Sequence, residues 1–194
     1  MNFTERQQQI INKAIEIIAQ KGYQELTIKH LAAAVGVSEA ALYRYFSSKN
    51  ELIHQILAYF EALAQQIMGS ITENIQDSLE QVKAFVMNRY ELFTANPDLA
   101  KVMFSEEIFW NDPSLGAHNL DIMHKHSEQI IKSIRAAQRK KEIRNDLSAV
   151  QLFRIIIGSL RLLITQWQLS DYSFSLTEEG KKLWQTLEKL IKET

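Results

Sequence analysis

The 194-residue sequence predicts an all-α protein, and three observations carry that prediction. Only two prolines and six glycines interrupt the chain, so long stretches lack the residues that most disfavour helix interiors. Apolar residues recur three and four apart, the period of an amphipathic helix rather than the alternation of a half-buried strand. Thr4 with Gln7, Ser48 with Glu51 and Ser175 with Glu178 each place a hydroxyl three positions before an amide or acid, the signature of a capped helix start.

Composition narrows the function classes. The absence of cysteine excludes structural disulfides, thiolate metal sites and cysteine nucleophiles, and suits a reducing compartment. The first residues lack the basic patch and apolar run of a signal peptide, and the most apolar stretch, residues 155–164, is interrupted by Arg161. No export, no membrane span and a cytoplasmic location are therefore expected. The 22 basic and 23 acidic residues nearly cancel, but residues 1–50 hold six of the former against four of the latter, a mild positive bias.

The elements follow in order. Ile10, Ala14, Ile17 and Ile18 form the stripe of a first helix that starts at the Thr4 box and ends near Gly22. Two short helices follow around Gly36: Leu31, Ala32 and Val35 share one face of the first, while Val37, Leu42 and Tyr45 continue the apolar pattern into the second. Ala32 is small where two helices cross, Gly36 can take a positive φ, and Ser38 can cap the second helix. The Ser48 box starts a long helix expected to reach about Gly69. Leu79, Val82, Phe85, Val86, Arg89 and Tyr90 mark another, stopped by Asn96-Pro97. Asp98 is expected to cap a short helix to Trp110, and Asn111-Asp112-Pro113 marks a loop before a polar helix over residues 114–141. Residues 148–169 are apolar nearly all round, so one face requires a partner beyond its own domain; a second subunit is the simplest one. The Ser175 box and Leu183, Trp184, Leu187, Leu190 and Ile191 supply the last helix.

The pair of helices around Gly36 is a helix-turn-helix, which presents the start of its second helix to base edges in the major groove of DNA. In order and spacing, Leu26-Thr27, Leu31-Ala32, Val35-Gly36-Val37-Ser38, Leu42-Tyr43-Arg44-Tyr45-Phe46 and Lys49 resemble the TetR family of bacterial transcriptional regulators. The resemblance implies about nine helices, with a three-helix DNA-binding domain over residues 1–48 and a ligand-binding and dimerisation domain over 49–194. It implies a DNA-binding set of Thr27, Lys29, Ser38, Glu39, Ala40, Ala41, Tyr43, Arg44, Tyr45 and Lys49. Glu39, Ala40 and Ala41 would read bases, and Tyr43, Tyr45 and Lys49 would hold phosphates. Phe46 reads as core; the Tyr45 ring can pack while its hydroxyl stays wet.

A homodimer through the last two helices is implied, on Phe153, Ile157, Leu160, Ile164, Leu183, Trp184 and Leu187. Its paired recognition helices would enter successive major grooves of a near-palindromic duplex operator, roughly 34–36 Å apart. The function expected is a repressor released by a small, hydrophobic effector, with no cofactor and no metal. Met87, Tyr90, Met103, Phe104, Trp110, Met123, Phe153 and Trp167 are the candidate pocket lining. Arg89, Arg154 and Arg161 interrupt apolar stretches and suit either internal ion pairs with Glu106 or Glu107 or contacts to an anionic ligand.

Two rivals remain. A DNA-binding architectural or division-site factor controlled by a protein partner would have nearly the same sequence. A di-metal bundle enzyme is a remote one: Glu51 with His54 and Asp121 with His124 have the required spacing, but no further carboxylates stand at recognisable intervals.

Overall fold

The computed structural model describes residues 3–105, 108–109 and 112–192. Among them run nine α-helices: α1 (Glu5–Lys21), α2 (Ile28–Val35), α3 (Glu39–Tyr43), α4 (Lys49–Asn74), α5 (Ser78–Ala95), α6 (Pro97–Met103), α7 (Pro113–Arg139), α8 (Ala149–Leu169) and α9 (Leu176–Ile191). A single 3₁₀ turn, Tyr23–Glu25, lies between α1 and α2, and no strand occurs among the described residues.

The helix starts follow local chemistry. At α1 the capping box is complete: the Thr4 hydroxyl accepts from the Gln7 amide at 3.2 Å and the Gln7 side chain accepts from the Thr4 amide at 2.9 Å. At α4 and α9 only half of each box forms, with Ser48 and Ser175 accepting from the Glu51 and Glu178 amides at 3.1 and 3.3 Å. Both carboxylates find better donors than the cap backbone. Glu51 accepts from the Ser47 amide at 2.6 Å and from its hydroxyl, which hold its carboxyl below the ordinary range. Glu178 pairs with Lys181 at 2.8 Å.

Three boundaries differ from expectation. Helix α4 passes through Gly69 to Asn74, because one helical glycine costs only about 1 kcal/mol. Helix α6 opens on Pro97, with Asp98 inside its first turn, since a fixed φ and a missing N–H suit the first helical position. It ends at Met103, and Trp110 lies outside the described residues.

The chain forms two compact units, Met1–Ala64 with Pro97–Ile122, and Gln65–Asn96 with Met123–Thr194. The first is organised on α1, which buries Ile10, Ile11, Ala14, Ile15, Ile17 and Ile18. At 100° per residue these span about 160° of its surface, more than one stripe. Helix α2 and the Tyr23–Glu25 turn pack on α1, and so does α6, which brings Leu99, Ala100, Val102 and Met103 into the core.

In the second unit, α9 packs on both α5 and α8. Its core holds Val82, Phe85, Val86 and Phe93 of α5, Leu152, Ile156, Leu160, Ile164 and Trp167 of α8, and Trp184 and Leu187 of α9. The Ser133 hydroxyl of α7 donates to Gln81 of α5 at 2.8 Å. At the closest approach of α5 and α9, Gly180 faces the Tyr90 ring, and a Cβ there would stand 2.3 Å from Tyr90 Cδ2. Burial pushes the Tyr90 phenol up to about 12 and the Arg89 guanidinium down to about 10. Arg154 and Arg161 are exposed on α8, and Glu106 and Glu107 lie outside the described residues.

A second stripe of α8 stays uncovered. Ile155, Leu162 and Leu169 recur every seven residues and are 49%, 60% and 83% exposed. By length and hydropathy α8 could cross a membrane, yet its other stripe, from Leu152 to Trp167, lies in the core of the unit.

Two predictions follow from the Tyr90 contact. Gly180→Ala gains up to about 1 kcal/mol of helix propensity but must displace a packed ring, which costs about 1–3 kcal/mol; urea denaturation should show net destabilisation. An unfolded tyrosine ionises near 10 and burial raises folded Tyr90 to about 12, so its contribution to stability is full below pH 10 and is lost as pH rises towards 12, by at most about 3 kcal/mol. Tyr90→Phe should remove that part of the alkaline loss in melts compared across this range.

Candidate nucleic-acid interface

The reading head begins at Thr27, whose hydroxyl caps α2 by accepting from the His30 amide at 3.1 Å. Gly36 ends α2 at φ 72° and ψ 39°, a left-handed conformation that glycine adopts without a Cβ penalty. The Val37 amide reaches the Ala32 carbonyl at 3.0 Å and the Gly36 amide the Ala33 carbonyl at 3.3 Å, a Schellman arrangement that reverses the chain within two residues. Ser38 then caps α3, accepting from the Ala41 amide at 3.1 Å. Helix α3 is one short turn and a half, closed by the Tyr45 and Phe46 amides on the Leu42 carbonyl.

Burial sorts the residues of this segment. Leu31, Ala32, Leu42 and Phe46 are in the core. Thr27, Lys29, Ser38, Glu39, Ala40, Tyr43, Arg44 and Tyr45 are exposed, and Ala41 is half-buried behind them. Tyr43 and Tyr45 are 50% and 42% exposed, unusual for large rings, and the Tyr45 ring centroid lies 6.4 Å from that of Phe46. The outward face of α2 and α3 therefore carries small residues, two phenols, two cations and one carboxylate.

Lys49 is placed differently from the rest of the DNA-binding set. It is half-buried, its Nζ donates to the Tyr23 carbonyl at 2.6 Å, and it stands 3.8 Å from the centroid of the Tyr23 ring. The same 3₁₀ turn is held from α2: His30 Nδ1 lies 3.0 Å from the Glu25 carbonyl and His30 Nε2 lies 3.3 Å from Lys21 Nζ, so one tautomer donates to the first and accepts from the second. Arg6 of α1 reaches the Val35 carbonyl at the end of α2, at 3.5 Å. Sequence reading missed Tyr23 and His30 as supports. The available signal was a lysine at the first position of a helix, where the dipole disfavours a cation.

Glu51 and His54 each take other partners. Glu51 is held by Ser47, while His54 Nδ1 faces His118 Nδ1 at 2.8 Å and His54 Nε2 lies 3.3 Å from the Ser114 hydroxyl. Two imidazole nitrogens at that distance share one hydrogen, with one ring donating and the other accepting. Among the described residues no three His, Cys, Asp or Glu side chains are grouped to hold a metal ion.

The candidate pocket residues fall in both units. Tyr90 and Trp167 are buried in the second unit, where Trp167 meets Tyr172 edge-on at 4.6 Å. Met87 and Phe153 are half-buried and Met123 is 52% exposed. In the first unit Met103 is buried and Phe104 half-buried. Of the residues assigned to a dimer, Leu160, Ile164, Trp184 and Leu187 lie in the core of their own unit, while Phe153, Ile157 and Leu183 are partly exposed. Between α8 and α9 runs an open groove of about 380 Å³, lined by Ser159, Leu162, Leu163, Gln166, Lys182 and Leu183 among others.

Known proteins share this architecture. Residues 10–56 match the family described as bacterial regulatory proteins, tetR family, and residues 56–190 match the YsiA-like protein C-terminal region. The nucleoid occlusion factor SlmA of Vibrio vulnificus is 26% identical over 96% of both chains. Among solved structures, the fatty acid degradation regulator FadR from Bacillus halodurans superposes with a TM-score of 0.85 at 21% identity over 97% of both chains. FadR from Bacillus subtilis, solved in complex with stearoyl-CoA, gives 0.80 at 19% identity over 93% of this chain and 96% of that one. A capped helix-turn-helix with an outward polar face, inside two matches that together run from residue 10 to residue 190, places this chain in the TetR family of bacterial DNA-binding transcriptional regulators.

Proposed function

We propose that the protein is a cytoplasmic repressor that binds a near-palindromic operator as a homodimer and releases it when a small hydrophobic effector binds. The observation that carries the dimer is the uncovered stripe of α8. Ile155 and Leu162 stand outward around Gly158, which has no Cβ and nothing within 4 Å of where one would be, so a second backbone can approach closely. Leu183 of α9, which lines the groove beside Leu162, extends the same apolar surface, whereas Phe153 and Ile157 stand about 160° and 200° around α8 from Ile155 and lie off it. Each large side chain that a second copy covers contributes roughly 1.5–3 kcal/mol, so a handful per protomer sustains a stable pair.

Within this reading Glu39, Ala40 and Ala41 read bases. Alanine methyls suit thymine methyls and a carboxylate accepts from cytosine N4. Thr27, Lys29, Ser38, Tyr43, Arg44 and Tyr45 hold the phosphate backbone, and the three-helix head over residues 1–48 is the part that docks. A fatty acyl thioester is the effector class favoured here, supported by the Bacillus subtilis relative solved with stearoyl-CoA and by the methionine and aromatic content of α5 to α8. A 100-fold release requires about 2.7 kcal/mol of difference in effector affinity between the DNA-competent and released states.

A second reading, in which the same DNA-binding head serves a factor controlled by a protein partner, is supported by similarity over nearly the whole chain to a nucleoid occlusion factor. The two separate in one experiment. Duplexes selected from a randomised pool are bound at nanomolar protein and titrated with stearoyl-CoA; release supports the sensor, and unchanged binding across acyl chain lengths and apolar drugs supports the second reading.

Two outcomes test the rest. Leu162→Glu places a charge in the apolar face, at a cost of several kcal/mol if it is covered, and light scattering at micromolar concentration should then give the mass of one chain where the parent gives two. Tyr43→Phe combined with Arg44→Ala should weaken binding to all duplexes alike and make the salt dependence shallower by about one unit of slope; a change confined to one sequence would move these residues from phosphates to bases.

A further inference from the structure

The family pattern casts Lys49 as a phosphate ligand; we infer instead that Lys49 is a positioning residue that fixes the reading head by clamping the Tyr23–Glu25 turn to the start of α4. Three observations point there. The ammonium is already engaged, 2.6 Å from the Tyr23 carbonyl and 3.8 Å from the centre of its ring. Lys49 is the first residue of α4, where the helix dipole repels a cation, so its charge gains more by leaning away from that helix than by staying on its axis. It is half-buried, whereas Tyr43, Arg44 and Tyr45 are exposed.

The turn it holds lies between α1 and α2 in the chain. Its Tyr23 carbonyl also accepts from the Leu26 amide at 3.2 Å, and its Glu25 carbonyl faces His30 of α2 at 3.0 Å. Lys49 on one side and His30 on the other thus hold the turn that ends at Glu25, two residues before the Thr27 cap from which α2 starts. Helix α3 follows α2 through the tight Gly36 turn, so a displacement of the Tyr23–Glu25 turn is passed to the base-reading residues. The clamp makes the position of α2 and α3 depend on the start of α4.

The proposal rests on the DNA-facing assignment above and is tested on the same selected duplexes by fluorescence anisotropy across a salt series. Circular dichroism fixes a temperature at which every variant is folded. Lys49→Met should weaken binding about tenfold, the loss of one charge-assisted hydrogen bond, with the salt slope unchanged. Tyr23→Leu, which keeps the carbonyl and loses the ring, should weaken it about threefold, and the double variant should bind no worse than Lys49→Met alone. Lys49→Arg, which can stack on the ring and donate to the carbonyl, should restore most of the affinity. In the DNA-free protein, amide exchange over residues 28–35 should be faster in Lys49→Met than in the parent. A slope shallower by about 0.9, the mark of one lost phosphate contact, with additive losses and unchanged exchange, would overturn the clamp. Failure of the parent to bind any duplex would instead overturn the DNA-facing assignment.

Discussion

Helix α1 carries apolar side chains over an arc too wide for one neighbour, and the first unit is the solution to that excess. Ile10, Ala14 and Ile17 lie on one side of the arc, Ile11, Ile15 and Ile18 on the other, and all six are buried. The partners packed on α1 are the reading head, through α2 and the Tyr23–Glu25 turn, and α6, which comes from far along the sequence. With roughly 1.5–3 kcal/mol available from each large buried side chain, this double packing outweighs the small capping and hydrogen-bond contributions around it. It holds α2 firm enough for a five-residue helix, α3, to present its side chains. So short a helix is not stable by its own hydrogen bonds.

The surface of that head is organised by what its residues do not do. Large rings are normally buried, and Phe46 is; Tyr43 and Tyr45, on either side of Arg44, are not. Their exposure has no structural benefit for the protomer, whereas phenol hydroxyls and a guanidinium in a row match a phosphate backbone. Lys49 belongs to the supports behind this surface, together with His30 and Arg6. A face and its scaffold are thus separable, with affinity depending on both and salt dependence on the face alone.

The second unit is legible in a different way. Helix α8 is apolar over more of its circumference than α5 and α9 can cover, leaving Ile155, Leu162 and Leu169 in solvent. The composition of residues 148–169 predicts an outside partner for such a face. Which side chains would meet it was not readable, because Leu160 and Ile164 are as apolar as Leu162, and only the packing of α9 decides which stripe is used internally. The resemblance implies a dimer face on Trp184 and Leu187, and the packing of α9 turns both inward for the same reason.

Local signals determined much of this protein from the sequence alone: the helical class, the Thr4, Ser38, Ser48 and Ser175 caps within reach of their amides, and the Gly36 turn. Each depends on groups a few residues apart, whose geometry the backbone itself restricts. Tertiary structure decided what depends on distant neighbours. It gave α1 a second face through α6, turned the Glu51 carboxylate to Ser47, drew Lys49 on to Tyr23, brought His54 to His118 and stacked Tyr90 on Gly180. A periodic pattern states how much surface must be buried and around which angle; it does not state by what, because hydrophobic burial has no direction until a partner arrives.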